Sequence, residues 1–293
     1  MITEIIIRGI IQGGSLSLIA LGLTLLYGVS RVVNMSHGAL LMLSVYIYYA
    51  LSTPHILGLD PWLALIMAIL VMGVFGAIMY RLTIHPVLGD DVAIMVVTIT
   101  IGVAIQSLVV MFFGGENMGL ISPIELGYIE ILGVSVSWIS IITLIVSLSL
   151  FALVALFINW TKIGKAMQAL SQDREAAMLM GINTNRLYVL TMILSVVLVS
   201  IAGFLYCIPV KLVYPGLWLS IIISAFAIVI VGGLGSIKGS LIGSFIIGYA
   251  DTIVRNLHPA AGSVASIVPL SVMVAVLLIR PKGLFGKRVE MED

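Results

Sequence analysis

Read along its length, the chain alternates long apolar runs with short polar interruptions. Most runs are apolar on every side, not in a stripe of period 3.6 or 2. Nine segments stand out, at about 9–29, 36–53, 62–80, 92–113, 136–159, 187–210, 217–232, 239–256 and 263–280. Several approach the roughly 20 residues that carry a helix across a bilayer. A β-barrel would need strands of alternating polarity, which these runs lack. The expected fold class is an all-α polytopic membrane protein with about eight or nine transmembrane helices. Nine follow if every segment crosses. Eight plus a re-entrant piece follow if 217–232, which is short and ends in glycines, turns back. Residues 1–293 read as a single transmembrane domain.

The interruptions between runs carry the sidedness, because cytoplasmic loops collect Lys and Arg. The Arg81 connector, the Lys162–Arg186 connector, the Lys238 turn and the tail Arg280–Arg288 are cationic. By contrast 54–61 has Asp60 as its sole charge, and 114–135 has Glu116, Glu125 and Glu130 with no Lys or Arg. Alternating sides through nine segments places the strongly basic connectors in the cytoplasm and both acidic ones outside. Lys211 and Arg255 then fall outside or at the interface. The N-terminus is expected outside and the tail inside, and MITEIIIRGII has neither the basic region nor the cleavage site of a removable signal peptide.

Composition narrows the classes. The 293 residues are 61% hydrophobic and 9% charged, against about 25% charged in soluble domains. A net charge of +1 with no basic stripe argues against a nucleic-acid partner. Cys207 is the only cysteine, so an internal disulfide is excluded, and its apolar neighbours predict a small buried side chain. His37, His55, His85 and His258 lie in separate places, and no Cys/His/Asp cluster has metal-ligand spacing. No nucleophile–base pair can be assembled, so no catalytic residue is expected. Asp251 is the only acidic residue close to the interior of a predicted span. Ion-coupled carriers usually need ionisable groups or unwound ion sites in the membrane, which favours an energy source outside this chain.

Within the apolar background a few polar stretches carry candidate chemistry. From Gly28 to Gly38, Arg31, Asn34, Ser36 and His37 interrupt two apolar segments. This reads either as a tight polar turn or as a broken helix whose freed backbone lines a transport path. The fourth segment holds Thr98, Thr100, Gly102, Gln106 and Ser107. These either bond within and between helices or touch solute. The connector 114–135 is a plain loop or a docking rim. The run Val231–Ser240 fails the Walker A pattern, because Lys238 follows Ile237 and precedes Gly239. Its glycines, Gly232, Gly233, Gly235, Gly239 and Gly243, instead suggest close helix packing, or sliding during gating, with the last three on one face. The tail Arg-Pro-Lys-Gly-Leu-Phe-Gly reads as a stop and headgroup anchor.

The cytoplasmic loop of about 160–186 contains a short capped helix. Asp173 can serve as N-cap, Glu175 adds charge to the first turn, and Gly181 supplies a C′ residue able to turn left-handed. Two turns of helix are unstable alone in water. This one therefore requires a surface, either lipid headgroups or another protein. A lipid-surface helix normally shows a basic face, which Asp173 and Glu175 dilute.

Five stretches, VVNMSHGALLMLSVY, TITIGVAIQ, IGKAMQALSQDREAAMLMGIN, VGGLGSIKGSLIG and RPKGLFG, occur in this order between residues 32 and 286. Together the chain resembles the permease subunits of ABC importers for branched-chain amino acids, a group that also takes urea and short amides. The resemblance implies an ABC importer permease fold in a prokaryotic cell membrane, paired with a second homologous permease. It further implies two cytoplasmic ATP-binding subunits, an extracytoplasmic substrate-binding protein, and ATP held by the partners with no cofactor bound here. It places ATPase coupling on Gln172, Asp173, Arg174, Glu175, Ala176, Ala177 and Gly181. Glu175-Ala-Ala-x-x-x-Gly181 matches the start of the wider EAA signature, whose later Ile-x-Leu-Pro part has no counterpart here. The solute path is expected along Asn34, Ser36, His37, Thr98, Thr100 and Gln106. The competing expectation is a stand-alone channel or ion-coupled carrier for a small solute.

Overall fold

A computed structural model describes residues 2–124, 126–257 and 267–286. Glu125, His258, the start of the ninth apolar segment (263–266) and the tail cations Lys287 and Arg288 lie outside the described residues. Six helices are long and apolar enough to cross a membrane: α1 (Ile2–Ser30), α3 (Pro61–Met79, with a π turn Tyr80–Ile84 and a 3-10 turn beyond), α4 (Asp91–Phe113), α5 (Trp138–Trp160), α8 (Thr184–Cys207) and α10 (Ile237–Leu257). Three expected segments are shorter: α2 (His37–Ser52) and α9 (Leu217–Gly232) have 16 residues each, and α11 (Val268–Ile279) has 12. Two further short helices, α6 (Lys162–Gln172) and α7 (Arg174–Leu179), fill the connector after α5.

Local chemistry sets the ends. α1 begins about seven residues before its apolar run, its first turns closed by a Glu4–Arg8 pair at 3.0 Å. Asp60 and Asp90 cap α3 and α4 by accepting two backbone N–H bonds each. The connector 114–135 is not a plain loop. Its β1 (Met118–Gly119) pairs antiparallel with β4 (Leu212–Val213), and β2 (Tyr128–Ile131) forms a hairpin with β3 (Val134–Ser137). The hairpin turns at Leu132 and Gly133, both at positive φ.

The β1–β4 pair brings the C-terminal ends of α4 and α8 to one end of the bundle, and Tyr48 near the end of α2 donates to the Ile121 carbonyl there. At the opposite end, Arg31 reaches the Ser171 carbonyl of α6, and Gly28 of α1 meets Gly235 of the α9–α10 turn. Arg81, Lys162, Lys165, Arg174, Arg186, Lys238, Arg280 and Lys282 flank the same helix ends as Arg31. One end of the molecule is therefore cation-rich, in line with the positive-inside expectation.

α1, α2, α8 and α9 form the core, with Leu18, Ile19, Leu41, Tyr46, Val199 and Ile228 among its buried side chains. α3, α4 and α5 leave broad apolar faces exposed, Leu70, Val96 and Leu153 among them, as a bilayer requires.

Candidate functional site

The two half-length helices meet in the middle of the bundle. After α1 ends at the cation-rich side, residues 31–36 run back inward without helical hydrogen bonds before α2 starts at His37. After α8 ends at the other side, the chain turns back through 208–216, and α9 starts at Leu217. A Cβ added to Gly38 would collide with the Trp218 carbonyl, so the two helix starts touch. Neither is capped by a side chain. Non-helical backbone at membrane depth must be buried in protein or line a cavity. Here it is buried: Asn34, Ser36 and His37 have no exposed surface.

Polar bonds hold this hub. Asn34 Oδ1 accepts from the Ser36 N–H at 3.0 Å and from the Ser36 hydroxyl at 2.6 Å. Thr98 Oγ1 accepts from Met35 N–H at 3.1 Å and donates to the Ile94 carbonyl at 2.8 Å. His37 Nε2 lies 3.1 Å from the Ile19 carbonyl in a middle turn of α1. A carbonyl only accepts, so this nitrogen carries the proton. Asn34 Nδ2 and His37 Nδ1 are buried without a partner. Gln106 Oε1 accepts from Trp218 Nε1 at 2.8 Å, tying α4 to the start of α9. Of the expected path residues, then, Asn34, Ser36, His37, Thr98 and Gln106 come together. Thr100 does not: it is exposed on the opposite side of α4, and its hydroxyl donates to its own helix at Val96. In this conformation the gathered residues form a closed polar hub, not a lined water path. Trp218, Gly38 and Gly22 belong to it, and sequence reasoning missed all three. The signal for Gly38 was its place directly after His37.

The second candidate is α7, at the cation-rich end. Asp173 Oδ1 accepts from the Ala176 N–H at 3.0 Å, and Gly181 sits at φ +81° with nothing near its missing side chain. Both caps are as the sequence implied. Arg174 stacks over the Tyr188 ring of α8, 5.8 Å from its centre, and Ala177 is buried against the bundle. Tyr188 in turn faces Tyr80 of the π turn, with 6.5 Å between ring centres. Asp173, Arg174 and Ala177 are thus occupied holding the helix. Gln172, Glu175 and Ala176 face outward with Leu179 and Met180, which are 88% and 83% exposed. α6, which went unpredicted, lies beneath it with Gly164, Met167 and Leu170 buried.

The glycine run lies beside this end. Gly232 and Gly239 touch backbone to backbone where α9 and α10 cross, and Gly243 sits under the Ile228 carbonyl. Gly235 is not on that helix face. It lies in the turn before α10 at φ +77°, against Gly28. Gly233, at φ +101°, faces Gly286 of the tail. The tail does more than anchor: Leu284 and Phe285 N–H donate to the Val231 and Gly232 carbonyls at 2.8 and 3.0 Å. Those bonds satisfy acceptors that the end of α9 leaves open. Gly283 has φ +74°, and a Cβ there would meet the Ile230 carbonyl. Gly283→Ala is expected to lower stability by about 1–3 kcal/mol, read as earlier thermal unfolding in detergent. Gly114→Ala, also at positive φ but with nothing near it, isolates the backbone part of that cost.

Comparisons with known proteins agree with this geometry. Residues 5–277 match the family model described as branched-chain amino acid transport system / permease component. The chain is 26% identical over 293 residues to the high-affinity branched-chain amino acid transport system permease protein BraD of Pseudomonas aeruginosa, covering 96% of this chain and 95% of that one. It is 31% identical over 308 residues to the probable branched-chain amino acid transport permease protein LivH of Methanocaldococcus jannaschii, covering 97% and 92%. Among solved structures, PsaBC from Streptococcus pneumoniae in complex with Fab has a TM-score of 0.52 at 18% identity, over 96% of this chain and 97% of that one. That last likeness is one of fold alone. Helices, polar hub and full-length relatives lead to one conclusion: this chain is a multi-pass membrane protein of the branched-chain amino acid transport permease family.

Proposed function

We propose that this protein is the membrane-spanning subunit of a binding-protein-dependent ABC importer in a prokaryotic cell membrane. It moves branched-chain amino acids, or a related small amino acid, amide or urea, with ATP hydrolysed by separate subunits. A second permease pairs with it, two ATP-binding subunits sit on the cation-rich cytoplasmic end, and a binding protein delivers solute outside. The loop of about 160–186 is the coupling loop, and the structured connector of about 114–135 is the external rim.

The observation that carries this reading is α7. A helix of six residues cannot hold its shape alone, yet this one is fixed from behind by a cap, a stacked arginine and a buried alanine. It presents Glu175, Leu179 and Met180 outward on the cytoplasmic end. That arrangement fits a rigid knob seated in a partner. Motion imposed on α7 reaches α8 through Tyr188 and α3 through Tyr80. α8 holds the hub directly, because Ser195 Oγ donates to the Gly22 carbonyl beside His37. Separation of the α2 and α9 starts then opens or closes the route, with Asn34, Ser36, His37, Thr98 and Gln106 meeting solute in the open state. Gly232, Gly239 and Gly243 let α9 and α10 slide without side-chain interlock. Thr100 faces the second permease or lipid.

Purification from native membranes in mild detergent tests the assembly. An ATP-binding subunit is expected to co-purify in equal number with the permeases, and its loss on Leu179→Asp is expected with insertion unchanged. Recovery of this chain alone from membranes that contain such subunits would contradict the proposal and favour a stand-alone channel or carrier.

A further inference from the structure

At the end of the bundle opposite α7 lies a cleft of about 830 Å³, inside the range of roughly 300–1,000 Å³ typical of small-molecule sites. One wall follows α1 from Glu4 through Arg8 to Ser15, about 16 Å of helix at 1.5 Å per residue. The facing wall is the last turns of α10, with Asp251 and Arg255. The inner end reaches Cys207 and Leu217, where α9 begins beside the hub. α1 and α10 approach backbone to backbone at Gly13 and Gly248, so charged residues on both helices open onto one space.

Those charges are balanced. Glu4 pairs with Arg8 at 3.0 Å, and Asp251 pairs with Arg255 at 2.9 Å. The Asp251 side chain is 9% exposed and that of Arg255 52%. Pairs of this i,i+4 kind add only about 0.3–0.5 kcal/mol, too little to explain four charges placed along a wall of a membrane protein. Ionisable groups at such depth point to a solute route. A lone anion or cation would meet repulsion from half the ring. A molecule carrying both an ammonium and an acidic group satisfies both halves, and Ile11, Leu205 and Val210 offer apolar wall beside them.

We propose that this cleft binds a small zwitterion, with Arg8 and Arg255 taking its anionic group and Glu4 and Asp251 its ammonium. It is the outer half of a route that ends at the hub. The proposal deepens the transport reading and takes only the solute's probable size from it. Two sources share this chemistry: a free aliphatic amino acid, and a phosphatidylethanolamine headgroup.

Cys207 is the only cysteine, lies at the inner end, and is 1% exposed. Methyl methanethiosulfonate labelling of the full chain in phosphatidylglycerol nanodiscs, followed by intact mass, therefore reports on the cleft. Leucine at about 10 mM is expected to slow labelling at least about fivefold, for a site of millimolar affinity. 4-Methylpentanoate and 3-methylbutylamine, each lacking one charge, are expected to slow it less than about twofold. Asp251→Asn and Arg255→Gln are expected to lose the protection while keeping the unprotected rate. If Asp251→Asn inserts poorly, Glu4→Gln carries the same expectation from the more exposed pair. Protection by phosphatidylethanolamine nanodiscs without solute assigns the site to the headgroup and supports the same chemistry. Equal protection by the singly charged analogues, no protection by either zwitterion, or no labelling at all overturns the proposal. Uptake by the assembled importer is measured separately, so failure of this site leaves the transport reading standing.

Discussion

Glu175→Lys is expected to abolish solute uptake while the protein still inserts and folds. Glu175 is exposed in the first turn of α7. Reversing its charge there costs about 0.3–1 kcal/mol through the helix dipole, too little to unfold a bundle this size. A docking contact of hot-spot rank is worth about 2 kcal/mol or more, about thirtyfold in occupancy. Loss of uptake with normal insertion therefore locates the effect in the partner contact. Gly181 gives the conformational counterpart. At φ +81° with open space around it, Gly181→Val strains the backbone without any clash and is expected to block uptake too. Gly181→Asn, which tolerates left-handed backbone, is expected to retain part of it. Uptake of labelled amino acid in cells, with membrane fractions probed for the chain, checks all three. Normal uptake in both Glu175→Lys and Gly181→Val would remove α7 from the coupling path.

Gly38→Ala is expected to be the most damaging single methyl in the core. The new Cβ would press on the Trp218 carbonyl and crowd Ile222 at 3.1 Å. Backbone cannot swing aside as a side chain can, so α2 and α9 must separate at their starts. Overpacking of this kind costs about 1–3 kcal/mol, and here the displacement falls on the hub itself. Uptake is expected to fall more than about tenfold, the equivalent of about 1.4 kcal/mol. Thermal unfolding in detergent should move earlier at the same time. Ile222→Ala is not expected to rescue it, because the obstruction is the carbonyl. Gly119→Ala, with nothing within 4 Å, is the matched control. Wild-type uptake in Gly38→Ala would mean that the hub does not need its tight contact.

How much of this was written in the sequence varies with the range of the interaction. The caps of α7 were legible because they act within a few residues: Asp173 reaches Ala176, and Gly181 closes the helix by its own backbone. The cation-rich end followed from charge placement alone. α6 was readable too, since Gly164, Met167 and Leu170 recur at helical spacing between polar neighbours. Its brevity among long apolar runs hid it. Thr100 was assigned with Thr98, although two residues turn a helix by about 200°. The buried rhythm Ile94, Thr98, Gly102, Ile105, Val109 excludes it. Other features lay beyond sequence reasoning. That α2 and α9 start at the same depth depends on how the whole bundle folds back. The tail's bonds to Val231 and Gly232 join backbone to backbone, and no side chain announces them. Gly235 fitted a four-residue repeat but fell in a turn, because α10 begins at Ile237.

The central claim is that this chain forms a passage driven by a separate engine. Reconstitution into proteoliposomes tests it most directly: uptake of labelled branched-chain amino acid is measured with and without ATP, the co-purifying ATP-binding subunits and the binding protein. The account predicts uptake only when all are present, and none from Glu175→Lys assembled in the same way. Uptake by this chain alone, without nucleotide, would contradict it.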